Sequence, residues 1–457
     1  MPSLKGRISR LKSLGLVKAS ELGAASAENE ADAAASNGAA APAGNAASIG
    51  GAVSEGPARR ERASPPERGQ FLPGWERIAP HVFRRIAATN FSLGSAQPAL
   101  FHPGYFESHR LPPARAAFRE PAPSSPGFPL EGLSFFDLET TGLSGGTGTI
   151  AFLAAVGYFE GADFLVTQVF IDDFPGEPRF LEALAELLAR RPHAVTYNGA
   201  AFDMPLLRTR CIMNAVPLPE LAHTDALKAA RRLWRRTLGS CALQAIENAV
   251  LGEQRVGDIP GSMIPALWLE YSAAGASVCD PSTLESMARI AEHNVLDVVS
   301  LARIFLRVER IMAEPERRWA TEKVHASRLA SDLIAQGRET EGLSILEASG
   351  AEGDQASLLL LARIHRRRRE FDAYERAVLA LDAESLLGLI ERAKLFEHRR
   401  RDYGRALECA ERAERILMER KGEVADGALP RRAEALEALA RRRERLKLKL
   451  GIAEKDR

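Results

Sequence analysis

Residues 133–143 read LSFFDLETTGL, an apolar run that closes on two acids. In an extended strand residues i and i+2 point to one face with Cα atoms roughly 6.6 Å apart, so Asp137 and Glu139 aim at a single spot. Two carboxylates so close at the end of a buried strand need a countercharge, and a divalent cation answers both at once. A lone D-x-E triplet arises often by chance. Its weight depends on whether further acids stand where the fold can bring them to the same place.

The flanking segments set the architecture. IAFLAAVGYF (150–159) and FLVTQVFI (164–171) read as two more strands, with residues 160–163 as the turn between them. Pro178 opens an amphipathic helix that runs to Arg191, followed by a short strand at 194–197 and a helix from about Phe202 to Asn214. Further helices end in a long one from Pro281 to about Met312. Three strands in a meander, then strands and helices in alternation, predict an α/β domain with one mixed central sheet.

Two more groups of chemistry-bearing residues fall inside this domain. Asn198-Gly-Ala-Ala-Phe-Asp203 places an acid where a strand runs into a helix. An aspartate there is ordinarily a helix cap, which is its structural alternative. His293 and Asp297, spaced i and i+4, share one face of the long helix, where a simple side-chain hydrogen bond is the alternative. Together the set is four carboxylates and one imidazole, which is what a two-metal phosphodiesterase needs: ligands for two cations about 4 Å apart and a group to orient or deprotonate water.

In this set the chain resembles the DEDD 3′–5′ exonucleases. The triplet of FFDLETTGL, the N-x-x-x-F-D segment and the His-x-x-x-Asp pair are similar to their three motifs. Residues 131–307 resemble more closely the bacterial YprB-type RNase H-like domain proteins, through FFDLETTGLSGGTGTIAFLAAVG, LWRRTLGSCALQAIE, DIPGSMIP and HNVLDVVSLA. The resemblance implies an RNase H-like fold, with Asp137, Glu139, Asp203 and Asp297 as ligands of two divalent ions, Mg²⁺ or Mn²⁺, and His293 orienting the water. In the exonucleases the third motif has tyrosine four residues before its acid or histidine five before it, whereas this chain has histidine at the tyrosine spacing. Histidine titrates near neutrality and suits a general base, whereas tyrosine can mainly orient water.

On the substrate side the reading names Thr140, Thr141, Leu143, Asn198 and Phe202. The loop LSGGTGT (143–149) lets backbone approach a sugar-phosphate, with Thr140, Thr141 and Thr147 as donors, although turn chemistry alone also explains its glycines. It is not a P-loop, since no G-K-[ST] follows. Lys228–Arg236 (KAARRLWRR) sets five basic residues around Trp234, suited either to phosphates beside a stacking platform or to an amphipathic helix with tryptophan in the core. Asp225 and Asp258 could support the ligands, but nothing in their spacing demands it.

At 457 residues, 46% hydrophobic and 26% charged, the chain can hold two or three globular domains. Its net charge of +1 hides a basic tail, with 26 Lys and Arg against 19 Asp and Glu from Leu361 to Arg457. That excess fits a polyanionic partner and equally fits solvated helix faces. Four scattered cysteines without C-x-x-C spacing, no secretory h-region and no apolar span of about 20 residues predict a cytoplasmic protein without a membrane segment.

Leu4, Ile8 and Leu11 could line a short basic helix, and composition predicts a disordered arm over residues 1–69. Residues 70–130, with Phe71, Trp75, Phe83, Phe91, Tyr105 and Phe106 among many prolines, are expected to be an irregular lead-in packed on the domain of 131–312. From 313 to 452 strand signals stop. RRREF (367–371) and RRRDY (399–403) recur 32 residues apart, with a fainter copy at 337–348, which resembles tetratricopeptide helical hairpins, although their Trp, Gly and Pro landmarks are missing.

The expected activity is hydrolysis at the 3′ end of single-stranded DNA or RNA, with a protein partner recruited through the repeats. A second reading is a scaffold that uses the RNase H-like domain to bind nucleic acid without cutting it.

Overall fold

The structure is a computed structural model describing residues 72–92, 130–142, 148–275, 280–419 and 432–452. The expectations for the N-terminal helix and arm, for Phe71, Tyr105 and Phe106, and for Leu143 and Thr147 fall outside these residues. By its contacts the chain divides into two units, Met1–Ala313 and Glu314–Arg457.

In the first unit the strands are β1 (Glu76–Ala79), β2 (Val82–Ser92), β3 (Leu133–Thr140), β4 (Ala151–Glu160), β5 (Asp163–Ile171), β6 (His193–Thr196) and β7 (Ala222–Asp225). They form one sheet in the order β1-β2-β5-β4-β3-β6-β7. Neighbours from β1 to β3 pair antiparallel, while β6 runs parallel to both β3 and β7. This is the mixed sheet expected from the order of elements.

Residues 76–92, expected to be irregular, instead form β1 and β2, with Val82 opposite Ile171 and Ala88 opposite Leu165. The edge of β5 would otherwise expose unpaired amides and carbonyls, and VFRRIAATNFS offers the aromatic and β-branched residues a covering strand needs. Trp75, Phe83 and Phe91 pack as the lead-in was expected to: Trp75 and Phe83 against Phe170, and Phe91 against Phe159 and Phe164.

The longer helices of this unit are α1 (Glu177–Ala189), α2 (Asp203–Met213), α3 (Ala226–Leu238), α4 (Ile264–Ala274) and α5 (Pro281–Ala313). One face of the sheet packs Phe136, Leu138 and Phe152 with Phe180 of α1 and Trp268 of α4. The other packs Phe135, Phe159 and Phe164 with Val298, Ala302 and Phe305 of α5. α5 approaches closely because Gly157 of β4 has no side chain: a Cβ there would overlap Val298 and Phe164.

The second unit is all helical among the described residues, its longer helices being α6 (Ala326–Ala335), α7 (Glu339–Ala351), α8 (Gln355–Arg368), α9 (Phe371–Ala380), α10 (Leu386–Leu395), α11 (Tyr403–Glu419) and α12 (Arg432–Leu450). α7, α9 and α11 begin at Glu339, Phe371 and Tyr403, each 32 residues after the last. Two residues before each start, the turn passes through the left-handed region, at Gly337 (φ 82°), Arg369 (φ 62°) and Arg401 (φ 53°). The recurrence in sequence is therefore a recurrence of hairpin geometry. α12 is tied on by Arg442, Arg445 and Lys449, which converge on the fully buried carboxylate of Glu397. Burial would raise that carboxyl, but hydrogen bonds from Arg445 and Lys449 and the charge of Arg442 bring it down to about 2.

Candidate active site

The alternation of β3 aims its acids. Phe135 meets Phe305 of α5 edge-on at 5.4 Å between ring centroids, so odd-numbered residues of the strand face α5. Asp137 and Glu139 follow on that face, and α5 presents His293, Asn294 and Asp297 to them. The Asn294 amide donates to Asp137 Oδ2 at 2.8 Å. His293 Nε2 lies 3.9 Å from Glu139 Oε1 and 3.7 Å from Asp297 Oδ2. Asp203, the first residue of α2, is buried and takes backbone hydrogen bonds from its own amide and from Leu138, the residue between the two β3 acids.

Four carboxylates from three segments and one imidazole thus meet at the end of β3, the set named from the sequence. Their electrostatics are strained. Burial raises Asp137 well above the usual carboxylate range, and the charges of Asp297 and Asp203 raise it further. Glu139 is raised likewise, by burial and then by Asp137, Asp297 and Asp203. Burial lifts Asp203 to about 7 even though the two backbone amides stabilise its anion. Asp297 is raised by burial, less so because His293 and Arg255 favour its ionised form.

Hard oxygen donors under mutual repulsion fit a divalent cation. Among the described residues no three His, Cys, Asp or Glu side chains stand close enough to clasp an ion as they are. The charge they need is partly supplied by the chain itself. Arg255 forks onto the buried Glu247 and reaches Asp297 Oδ1 at 2.6 Å and Asp258 Oδ2 at 3.2 Å. Burial opposes its charge, but Asp297 and Glu247 outweigh burial and hold the guanidinium protonated.

Asp258 has a second partner. Its two oxygens lie 2.8 and 2.9 Å from His293 Nδ1, and a carboxylate can only accept, so Nδ1 carries the hydrogen and Nε2 is turned toward the acids. Burial pushes Asp258 up, but the His293 hydrogen bond and charge and the Arg255 hydrogen bond hold it below the usual range. Behind Asp137 a second chain of contacts crosses the sheet: Gln168 donates to Asn294 Oδ1 at 2.9 Å and accepts from Arg85 Nε at 2.6 Å.

Sequence reasoning missed Arg255, Glu247, Asn294 and Gln168. Their roles depend on tertiary placement: Glu247, Asn294 and Gln168 lie inside the quoted LWRRTLGSCALQAIE, HNVLDVVSLA and FLVTQVFI segments and Arg255 just before DIPGSMIP, but nothing in those words marked them. Asp225 proves to be a support: it caps α3 and accepts the backbone N–H groups of Asn198 at 2.9 Å and Ala200 at 3.3 Å, holding the turn before Asp203.

The residues expected on the substrate side are placed differently from one another. Thr140 is buried and its hydroxyl donates to Gly142 O at 2.8 Å, while the Thr141 hydroxyl accepts from the Ile150 amide at 3.1 Å, so both close the loop that follows β3. Asn198 is exposed in a left-handed conformation with φ of 66°. Phe202 packs half-buried against the core beside Asp203. Trp234 is fully buried. Its role as a stacking platform is thereby excluded, and the core tryptophan of an amphipathic helix is what the structure contains.

Two comparisons bear on this geometry. The RNase H superfamily model matches residues 134–308, a span that holds all four carboxylates and His293. The chain is also 30% identical over 303 residues to the uncharacterized protein YprB of Bacillus subtilis (strain 168), a match covering 64% of this chain and 71% of that protein. On its sheet order, its site and these matches, the chain belongs to the YprB-type RNase H-like proteins of the RNase H superfamily.

Proposed function

We propose that this domain is a metal-dependent nuclease, a 3′–5′ exonuclease that hydrolyses phosphodiester bonds of single-stranded DNA or RNA. The observation that carries the reading is the convergence of four mutually destabilised carboxylates, Asp203 buried and the other three half-buried, on a histidine whose Nδ1 is fixed by Asp258. Asp137, Glu139, Asp203 and Asp297 would hold two Mg²⁺ or Mn²⁺ ions. Bound there, such ions supply an activated water and stabilise charge on the leaving 3′ oxygen. His293 offers its Nε2 to the water's proton. Asp258 keeps the ring turned, and Asn294 keeps Asp137 in place. Residues 131–312 are the catalytic domain of this reading. Residues 313–452 are a tetratricopeptide-like repeat domain that recruits a protein partner, a role the 32-residue recurrence of hairpins supports. No described helix is long and apolar enough to cross a membrane. The reading places the protein in the cytoplasm.

The guanidinium on Asp297 is the observation that favours the scaffold reading, because Arg255 already engages one ligand oxygen. Metal affinity and turnover measured together separate the two. Mn²⁺ binding by calorimetry with Mg²⁺-dependent strand hydrolysis supports the nuclease; nucleic-acid binding without turnover in any metal supports the scaffold.

A further inference from the structure

The carboxylate site is strongly acidic, and a polyanionic strand needs cations beside it to be held there. α3 provides a row. Its sequence, ALKAARRLWRRTL, has five cations and no acid. Ala226, Leu227, Ala229, Ala230, Leu233 and Trp234 are buried and fix the helix against the domain. That leaves Lys228, Arg231, Arg235 and Arg236 exposed, with Arg232 at the margin. At 1.5 Å rise per residue, Lys228 to Arg236 spans about 12 Å, the reach of a few nucleotides. The buried tryptophan thus serves to orient the cations.

The row also starts at the site. Asp225 caps α3 and, with the same carboxylate, holds the Asn198–Ala200 turn that leads into Asp203. A second cation lies across β7 from Lys228: burial lowers His223, the charge of Asp225 opposes this, and Lys228 and Arg208 of α2 lower it further, so both cations lie near it. Positive charge therefore extends over α2, β7 and α3 on the flank of the acids.

We propose that the outward face of α3, Lys228, Arg231, Arg235 and Arg236, is the track on which the phosphate backbone of a single nucleic-acid strand docks as its end enters the carboxylate site. The inference rests on the nuclease reading and adds where the strand is held. Contacts of this kind act through charge, are salt-dependent and do not read sequence.

The test is fluorescence anisotropy of a labelled strand of about 20 nucleotides, longer than common single-strand sites, in EDTA so that nothing is cut, across a range of salt. The full-length chain is compared with Lys228→Gln/Arg231→Gln/Arg235→Gln, with the charge-keeping Arg231→Lys/Arg235→Lys, and with Arg399→Gln/Arg405→Gln/Arg441→Gln in the helical unit. The expected result is at least about tenfold weaker binding for the α3 glutamine variant and a fall of about 2 in the slope of log K against log salt, near 0.7 per lost phosphate contact on a single strand. The lysine variant should bind within about twofold of wild type, since a point charge suffices. If the glutamine variant does not fold, loss of binding by a folded lysine variant overturns the proposal. Wild-type affinity and slope in the α3 glutamine variant also overturn it, as does loss confined to the helical-unit variant. If the wild type binds no strand at all, the nuclease reading falls with it, a result distinguishable from failure of the track alone.

Discussion

Arg255→Met removes a cation and keeps an unbranched chain of similar reach. The Arg255 side chain is 9% exposed and Glu247 is 3% exposed, while Asp258 and Asp297 are 13% and 19% exposed. Asp258 keeps His293 as a partner and Asp297 keeps some solvent, so the main deficit is the stranded Glu247. Breaking a buried pair by removing one member costs about 3–5 kcal/mol. At about 2–4 °C per kcal/mol for a domain of this size, the first unit should melt about 10 °C lower. The sign with pH follows from linkage. Asp297 is already raised in the folded state, and without the guanidinium it holds its proton more tightly still, so the deficit is largest near about pH 8 and shrinks toward about pH 5.5. Circular-dichroism melts in EDTA at both pH values check this, with Arg255→Lys expected between the two because an ammonium cannot fork onto Glu247. A loss below about 1 kcal/mol, or the same loss at both pH values, would refute the idea that Arg255 is the chain's own countercharge to the acids.

Asp258→Asn should lower kcat by about 10–100-fold with little change in KM, because an amide no longer enforces the Nδ1–H form of His293; steady-state kinetics read the split. In EDTA the folded state binds more protons than the unfolded one between the ordinary carboxylate pKa and the raised values of Asp137, Glu139, Asp203 and Asp297, so stability should fall as pH rises from about 4 toward about 7, and Mn²⁺ should flatten that fall in thermal melts. Arg369→Gly and Arg401→Gly should each stabilise the helical unit by about 0.5–1 kcal/mol in urea titrations, since each removes a left-handed non-glycine residue.

Much of the domain was legible because its signals are local. The strands at 133–140, 151–160 and 163–171 are continuous apolar runs, and the helix at 281–313 carries a long apolar stripe. β1 and β2 were hidden by the neighbouring prolines, and the four-residue β7 is too short to show a period. The acids at 137, 139, 203 and 297 could be named because their motifs resemble a family and because strand alternation and helical spacing aim them together. The Arg255 fork and the Asn294–Gln168–Arg85 chain join segments up to 209 residues apart, from Arg85 to Asn294, and nothing local marks them. Trp234 could be read as core or platform from sequence, and only its burial decides.

The account turns on whether the carboxylates cut a strand from its 3′ end. Single-stranded DNA and RNA labelled at the 3′ or the 5′ terminus, incubated with Mg²⁺, Mn²⁺ or EDTA, would answer it with wild type beside Asp137→Ala/Glu139→Ala. The account predicts immediate release of 3′ label, a descending ladder from 5′ label, dependence on metal and loss of both in the double variant. Cleavage that persists in the double variant, or strands bound intact under every metal, would contradict it.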